Sequence, residues 1–211
     1  MSFRIGRIWG FPILVDVSWF IIFALLTWVL AANWFPQFSP NASAGAHWLA
    51  AAATALVFFA SVLLHELAHS YVAIRNGLPI SGITLFLFGG VSQITSEPDN
   101  PGLELRMSVA GPATSLVLGG VFWGLAALGQ SLGLPVTVVA AALWLGVINV
   151  ILAVFNLVPG FPLDGGRVLR AILWQTTGSL QRATRYASFS GQVFGYVIMG
   201  LGVLSVLAGN L

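Results

Sequence analysis

The stretch SVLLHELAHSYVAI, residues 61–74, sets two imidazoles and a carboxylate in an otherwise apolar run. His65, Glu66 and His69 follow the pattern HExxH. On a helix, side chains four apart share a face, with Cβ atoms about 5–6 Å apart. Both imidazoles can then reach one zinc ion at about 2.0–2.1 Å. Glu66 projects beside them, where a carboxylate can take a proton from zinc-bound water, whose pKa the metal lowers to about 7. The competing reading is a polar helix face that only hydrogen-bonds its neighbours. Three polar residues at ligand spacing argue against it, because an ionisable group at membrane depth costs about 2.5–3.5 kcal/mol on insertion scales and defaults to function.

A zinc site also needs a third protein ligand and an open position. The other acids are Asp16, Glu97, Asp99, Glu104 and Asp164, and the remaining histidine is His47. Asp16 is expected near the headgroups, Glu97, Asp99 and Glu104 in a polar loop, and His47 at the far end of the span. Asp164 alone adjoins a span on the same side as the HExxH. Its context, NLVPGFPLDGGR (156–167), holds two prolines and three glycines that must break a helix. Broken helix at membrane depth is tolerated only where it lines a protein or water cavity. The alternative is that Asp164 merely caps a helix starting at Gly165. Asn156, eight residues earlier, could donate to a developing oxyanion or simply satisfy the broken backbone.

The solvent for these groups follows from composition. Of 211 residues, 58% are hydrophobic and 7% charged, and the mean hydropathy is +0.94. Soluble domains carry roughly 25% charged residues, so this chain cannot cover a water-facing surface. There is no cysteine, which excludes disulfides and thiolate ligands. Eight scattered arginines form no basic patch, and no nucleic-acid partner is expected.

Five apolar stretches, near 18–35, 48–74, 107–129, 136–158 and 187–208, match the ~20 residues that cross a bilayer core. The first is long for a signal peptide, and the others make the chain polytopic in any case. Arg4 and Arg7 precede the first stretch, Arg75 follows the second and Arg106 precedes the third. Arg167, Arg170, Arg182 and Arg185 lie between the fourth and fifth, whereas 36–47 and 130–135 carry no charged residue. The positive-inside rule makes the N-terminus cytoplasmic and puts the HExxH towards the cytoplasmic side. The alternation at 13–17 and the β-branched, aromatic run at 80–95, broken by Gly89-Gly90, predict short strands at the membrane surface.

HELAH (65–69), AGPATS (110–115) and FNLVPGFPLDGGR (155–167) together resemble the site-2 protease family, the intramembrane zinc metalloproteases, in a branch without a PDZ insertion. The likeness runs from GRIWGFPILVDVSW to the end of the chain. It implies His65, His69 and Asp164 as ligands of one zinc ion, Glu66 as catalytic acid/base and Asn156 as an oxyanion or substrate contact. Ser115 stands where many family members have Asn, and Gly111, Ser115 and Gly119 are expected to be a small-residue stripe for close helix packing. The family core usually has a sixth span, often followed by CBS domains. This chain ends at Asn210-Leu211 after its fifth, so either a truncated chain or a short natural member is expected.

The expected molecule is therefore an α-helical polytopic membrane protein, one transmembrane metalloprotease core over 1–211, in the cell membrane. Its expected reaction is hydrolysis of a peptide bond in or near a transmembrane segment of a membrane-tethered substrate. An edge strand within 83–94, at Leu85–Leu87 and the following FGGVSQI, is expected to grip the unwound substrate. A metal transporter or metal sensor using the same histidines is the runner-up, and a non-catalytic membrane scaffold the third reading. Substrate identity and oligomeric state are not encoded legibly.

Overall fold

The computed structural model describes residues 1–209. Asn210-Leu211, on which the expectation about the chain end turns, lie outside the described residues.

Five helical segments among the described residues are long and apolar enough to cross a membrane: Ser18–Phe38, Ala44–Arg75, Pro101–Ser131, Val136–Asn156 and Leu180–Leu207. They coincide with the five expected spans. The first is composite: α1 (Ser18–Val29) runs through a π-helical turn, Leu30–Trp34, into the short α2 (Phe35–Phe38). Its start is set by Asp16, whose Oδ1 accepts from Ser18 N at 3.0 Å and Ser18 Oγ at 2.8 Å. The Ser18 N–H and hydroxyl hold the Asp16 carboxyl well below the usual carboxylate range.

The helix α3 (Ala44–Arg75) has 32 residues, about 48 Å at 1.5 Å per residue, and carries the HExxH in its second half. Ser43 caps its start by accepting from Ala46 N. The helix α4 (Pro101–Ser131) begins six residues before the expected apolar stretch. Asn100 caps it, its Oδ1 accepting from Leu103 N at 2.8 Å, and Pro101 occupies the first position. After α5 (Val136–Asn156) the chain leaves helix for 157–163 and re-enters it as α6 (Asp164–Thr177). That helix stops at Gly178, whose φ of 66° suits a residue without a Cβ. The last helix is α7 (Leu180–Leu207).

Four strands form one sheet in the order β1 (Ser2–Ile8), β2 (Phe11–Asp16), β3 (Ile80–Phe86), β4 (Gly89–Ile94). β2 and the β3–β4 hairpin were expected; β1 was not. Its side chains are almost all exposed, so no buried face imposes an alternating pattern on its sequence. β2 and β3 pair in parallel, Ile13 to Ile83 and Val15 to Leu85, because α1, α2 and α3 intervene as the crossover. Phe11, Ile13 and Ile83 are buried against Leu63 and Leu67 of α3. The sheet is thereby fixed to the helix that carries the HExxH.

One expectation is corrected. Leu85–Leu87 is not an edge: β3 is paired to β2 on one side and β4 on the other, and the Leu87 N–H donates to Ser18 Oγ at 3.2 Å. The free edges are β1 and β4. Strand order depends on a partner some seventy residues upstream, which local sequence does not reveal.

Candidate active site

Three side chains from two distant segments converge. His65 Nε2 and His69 Nε2 lie 3.1 Å apart, and each lies 3.1 Å from Asp164 Oδ2. Tetrahedral ligands bonded at 2.0–2.1 Å stand about 3.3 Å apart, so these three atoms could form one face of a zinc tetrahedron and leave the fourth vertex open. Both imidazoles are buried, at 3% and 6% exposure. Among the described residues, these three form the group whose ligand atoms are close enough to share one metal ion.

Helix α4 sets the imidazoles. His69 Nδ1 lies 2.6 Å from the Met107 carbonyl, which can only accept, so Nδ1 carries the proton and the Nε2 lone pair is left for a metal. His65 Nδ1 lies 2.9 Å from Ser115 Oγ, which likewise leaves its Nε2 facing His69 and Asp164. Between these contacts sits Gly111. A Cβ there would fall on His69 Nε2 and 2.5 Å from His65 Nε2. The small-residue stripe therefore lies at close helix contacts, as expected. Gly119 does admit a neighbouring helix, with Gly146 and Val150 of α5 closing on it. Gly111 and Ser115 face α3, where they also make room for, and orient, the histidines.

Glu66 faces the sheet. Ser92 Oγ of β4 donates to Glu66 Oε2 at 2.8 Å and is itself 3.2 Å from Ser70 Oγ. Gly90 lies over the same side chain, where a Cβ would come within 2.5 Å of Glu66 Cγ. The hairpin closes with the pair Phe86–Gly89 around a two-residue turn, and such turns are flanked by a hydrogen-bonded pair. Alternation along the ladder then turns the backbone groups of Gly90 and Ser92 to the open edge. The strand that holds Glu66 is also one of the two edge strands, with backbone donors and acceptors turned outward.

Asp164 reaches the histidines because 157–163 folds tightly under α6. A Cβ at Gly165 would collide with the Leu157 and Val158 carbonyls, and one at Gly166 with the Gly160–Phe161 peptide. Asp164 makes no side-chain cap to its own helix, so the capping alternative fails; the helix begins at Asp164 itself. Gly160 in turn meets Gly191 of α7, and Ser190 Oγ donates to the Pro159 carbonyl.

A cleft of about 540 Å³ opens between the β3–β4 hairpin, this loop and α7. Phe86, Gly90, Asn156, Phe161 and Phe194 are on its wall. Asn156 therefore lies beside the strand that holds Glu66, but its Nδ2 donates to the Leu152 carbonyl at 2.9 Å. In this structure it satisfies backbone at the helix end.

The remaining candidates lie elsewhere. His47 Nε2 contacts Ser39 at the opposite end of α3, and Glu97 and Asp99 are exposed. Glu104 departs from the sequence reading. Rather than a loop residue it is in the first turn of α4, wholly buried, and paired to Arg170 of α6 with a 2.6 Å bond from Nε to Oε1. The Asn100–Pro101 start pulls it into the helix. Ser92, Ser115 and Arg170 were all missed as partners, since each acts across a separation of 26 to 66 residues.

The profile of peptidase family M50 matches residues 53–142 and 131–199. A protein of Synechocystis named as a zinc metalloprotease is 43% identical over 206 residues, 98% of this chain and 53% of its own length. Rip3 of Mycobacterium tuberculosis, similarly named, is 42% identical over 207 residues, 98% of this chain and 52% of its own. The chain thus spans about half the length of the curated relatives it matches. A solved structure titled site-2 protease from Methanocaldococcus jannaschii superposes with a TM-score of 0.66 at 32% identity, over 98% of this chain and 87% of that one. The first matched segment spans the positions of His65, Glu66 and His69, and the second that of Asp164. On this footing the chain is a multi-pass membrane protein that belongs to peptidase family M50.

Proposed function

We propose that the chain is the core of a zinc-dependent intramembrane endopeptidase that hydrolyses a peptide bond in or near a transmembrane segment of a membrane-tethered protein. The observation that carries this reading is the 3.1 Å triangle of His65 Nε2, His69 Nε2 and Asp164 Oδ2 with Glu66 adjoining it. Zinc, when held there, supplies Lewis acidity towards a carbonyl oxygen and a water molecule. Glu66 takes the proton from the attacking water and returns it to the leaving amine, with Ser92 fixing the carboxylate in the facing position. Asn156, on the cleft wall, is assigned to the substrate carbonyl once its amide turns away from Leu152.

A transmembrane helix hides its peptide bonds in internal hydrogen bonds, so the substrate must unwind before attack. Its freed groups cost several kcal/mol each in lipid. The open edge of β4 supplies partners for them by strand addition, and the adjoining cleft receives side chains. β1, the other edge, is less suited: it carries a bulge between Arg4 and Gly6 and two arginines, features that discourage pairing. Arginine placement supports a location for this machinery on the cytoplasmic half of the cell membrane.

The test is Glu66→Gln in the full chain, with zinc content and cleavage of a model transmembrane substrate measured together. The expected protein keeps about one zinc and loses cleavage by about 10²–10⁴-fold, the usual worth of a general base. His65→Ala, His69→Ala and Asp164→Asn should each lose zinc. Proteolysis surviving in Glu66→Gln would overturn the mechanism.

A further inference from the structure

Arg170 and Glu104 form a buried ion pair outside the zinc site. Glu104 is 0% exposed and Arg170 7%. Arg170 Nε donates to Glu104 Oε1 at 2.6 Å and Nη2 contacts the same oxygen. Arg170 Nη1 also lies 3.7 Å from Glu97 Oε1, its guanidinium sits 5.4 Å from the centre of the Phe161 ring, and Arg167 Nε is 4.0 Å from Glu104 Oε1. The second carboxylate oxygen, Oε2, has no hydrogen-bond partner among the described residues.

Buried pairs of this kind rarely stabilise more than apolar residues of similar volume would, because desolvation offsets their attraction. An incompletely bonded carboxylate makes the balance worse. What such a pair does well is fix one arrangement of two elements. Its two ends are placed to do that for the metal centre. Glu104 lies three residues, about one turn, before Met107, whose carbonyl holds His69 Nδ1. Arg170 lies six residues after Asp164 on a helix of only 14 residues. The glycine contacts that pin the start of α6 are made to its own preceding loop, so they do not set α6 against α4. α6 packs along α4, and the ion pair is the charged contact made across that packing; through Phe161 it also touches the loop that delivers Asp164.

We propose that Glu104 and Arg170 are positioning residues for the metal centre, holding α6 against α4 so that Asp164 Oδ2 meets the two imidazoles. This rests on the zinc site proposed above.

The full chain in detergent, as wild type, Arg170→Lys and the double variant Glu104→Met/Arg170→Met, tests it. Zinc affinity is measured by competition with a chelator, and thermal unfolding is followed on the zinc-free proteins. If wild type binds no zinc, the site itself fails, and that result is distinguishable from failure here. With wild type binding, the double variant should keep or raise the unfolding temperature of the zinc-free protein yet bind zinc about 10–100-fold more weakly, the usual scale for outer contacts of a metal site. Arg170→Lys keeps the charge but loses the two-nitrogen hold on Oε1. It should weaken zinc about fivefold or more at unchanged unfolding temperature, and it carries the test if the double variant does not fold. Wild-type zinc affinity in either folded variant would overturn the proposal.

Discussion

Ser92 Oγ of β4 donates to Glu66 Oε2 at 2.8 Å, joining the free strand of the sheet to the acid of the HExxH helix. The contact fixes where the carboxylate points, and it places the open strand edge beside the groups proposed to react. A hydrogen bond to a charged group contributes about 1.5–3 kcal/mol, or about 10–100-fold in rate. Ser92→Ala should lower kcat by that factor while zinc content is unchanged. Equal kcat in the two proteins would remove Ser92 from the mechanism.

Ser92→Pro, compared with Ser92→Ala, reads the backbone separately from the hydroxyl. Proline deletes the N–H that the ladder turns to the open edge, and leaves the bonds between Val91 and Thr84 in place. A further loss of about tenfold in kcat/KM is expected if substrate adds to β4 as a strand. Identical activity in the proline and alanine proteins would mean that this edge does not bind substrate.

Gly111→Ala should abolish metal binding, because its methyl falls on the Nε2 atoms of both histidines. Gly120→Ala is the control, since nothing lies within 4 Å of a Cβ there. The expected measurement is less than about a fifth of the zinc of wild type in the first protein and full zinc in the second, at equal helical content. Full zinc in Gly111→Ala would show that the imidazoles sit elsewhere.

Asn156→Ala should act on turnover rather than on metal. Loss of one oxyanion donor costs about 10²–10³ in kcat. A residue serving only the Leu152 carbonyl would leave kcat near wild type and lower stability instead. Zinc content separates either result from damage to the site.

Topology reporters check the arginine reading. A fusion at Asn41 should report the outside and one at Gln181 the cytoplasm, as the charge-free 36–47 loop and the arginines beside Gln181 require. A cytoplasmic signal at Asn41 would invert the protein and move the cut to the external face.

The sequence by itself determined what is local. Apolar length gave the five spans, and four-residue spacing put His65 and His69 on one face with Glu66 beside them. The Pro- and Gly-rich 156–167 stretch gave the helix break that brings Asp164 in. Each depends on neighbours within one or two helical turns. Only the tertiary structure decided which groups these residues meet. Strand order made β4 the edge and buried Leu85 between two partners. The packing of α4 on α3 made the stripe residues Gly111 and Ser115 the seat of the imidazoles as well. The start of α4 at Asn100–Pro101 carried Glu104 out of a loop and onto Arg170. These are choices between distant partners, and residue type narrows such choices without making them. Ser92, Ser115 and Arg170 look like any polar residues until the fold supplies the buried group that each must satisfy.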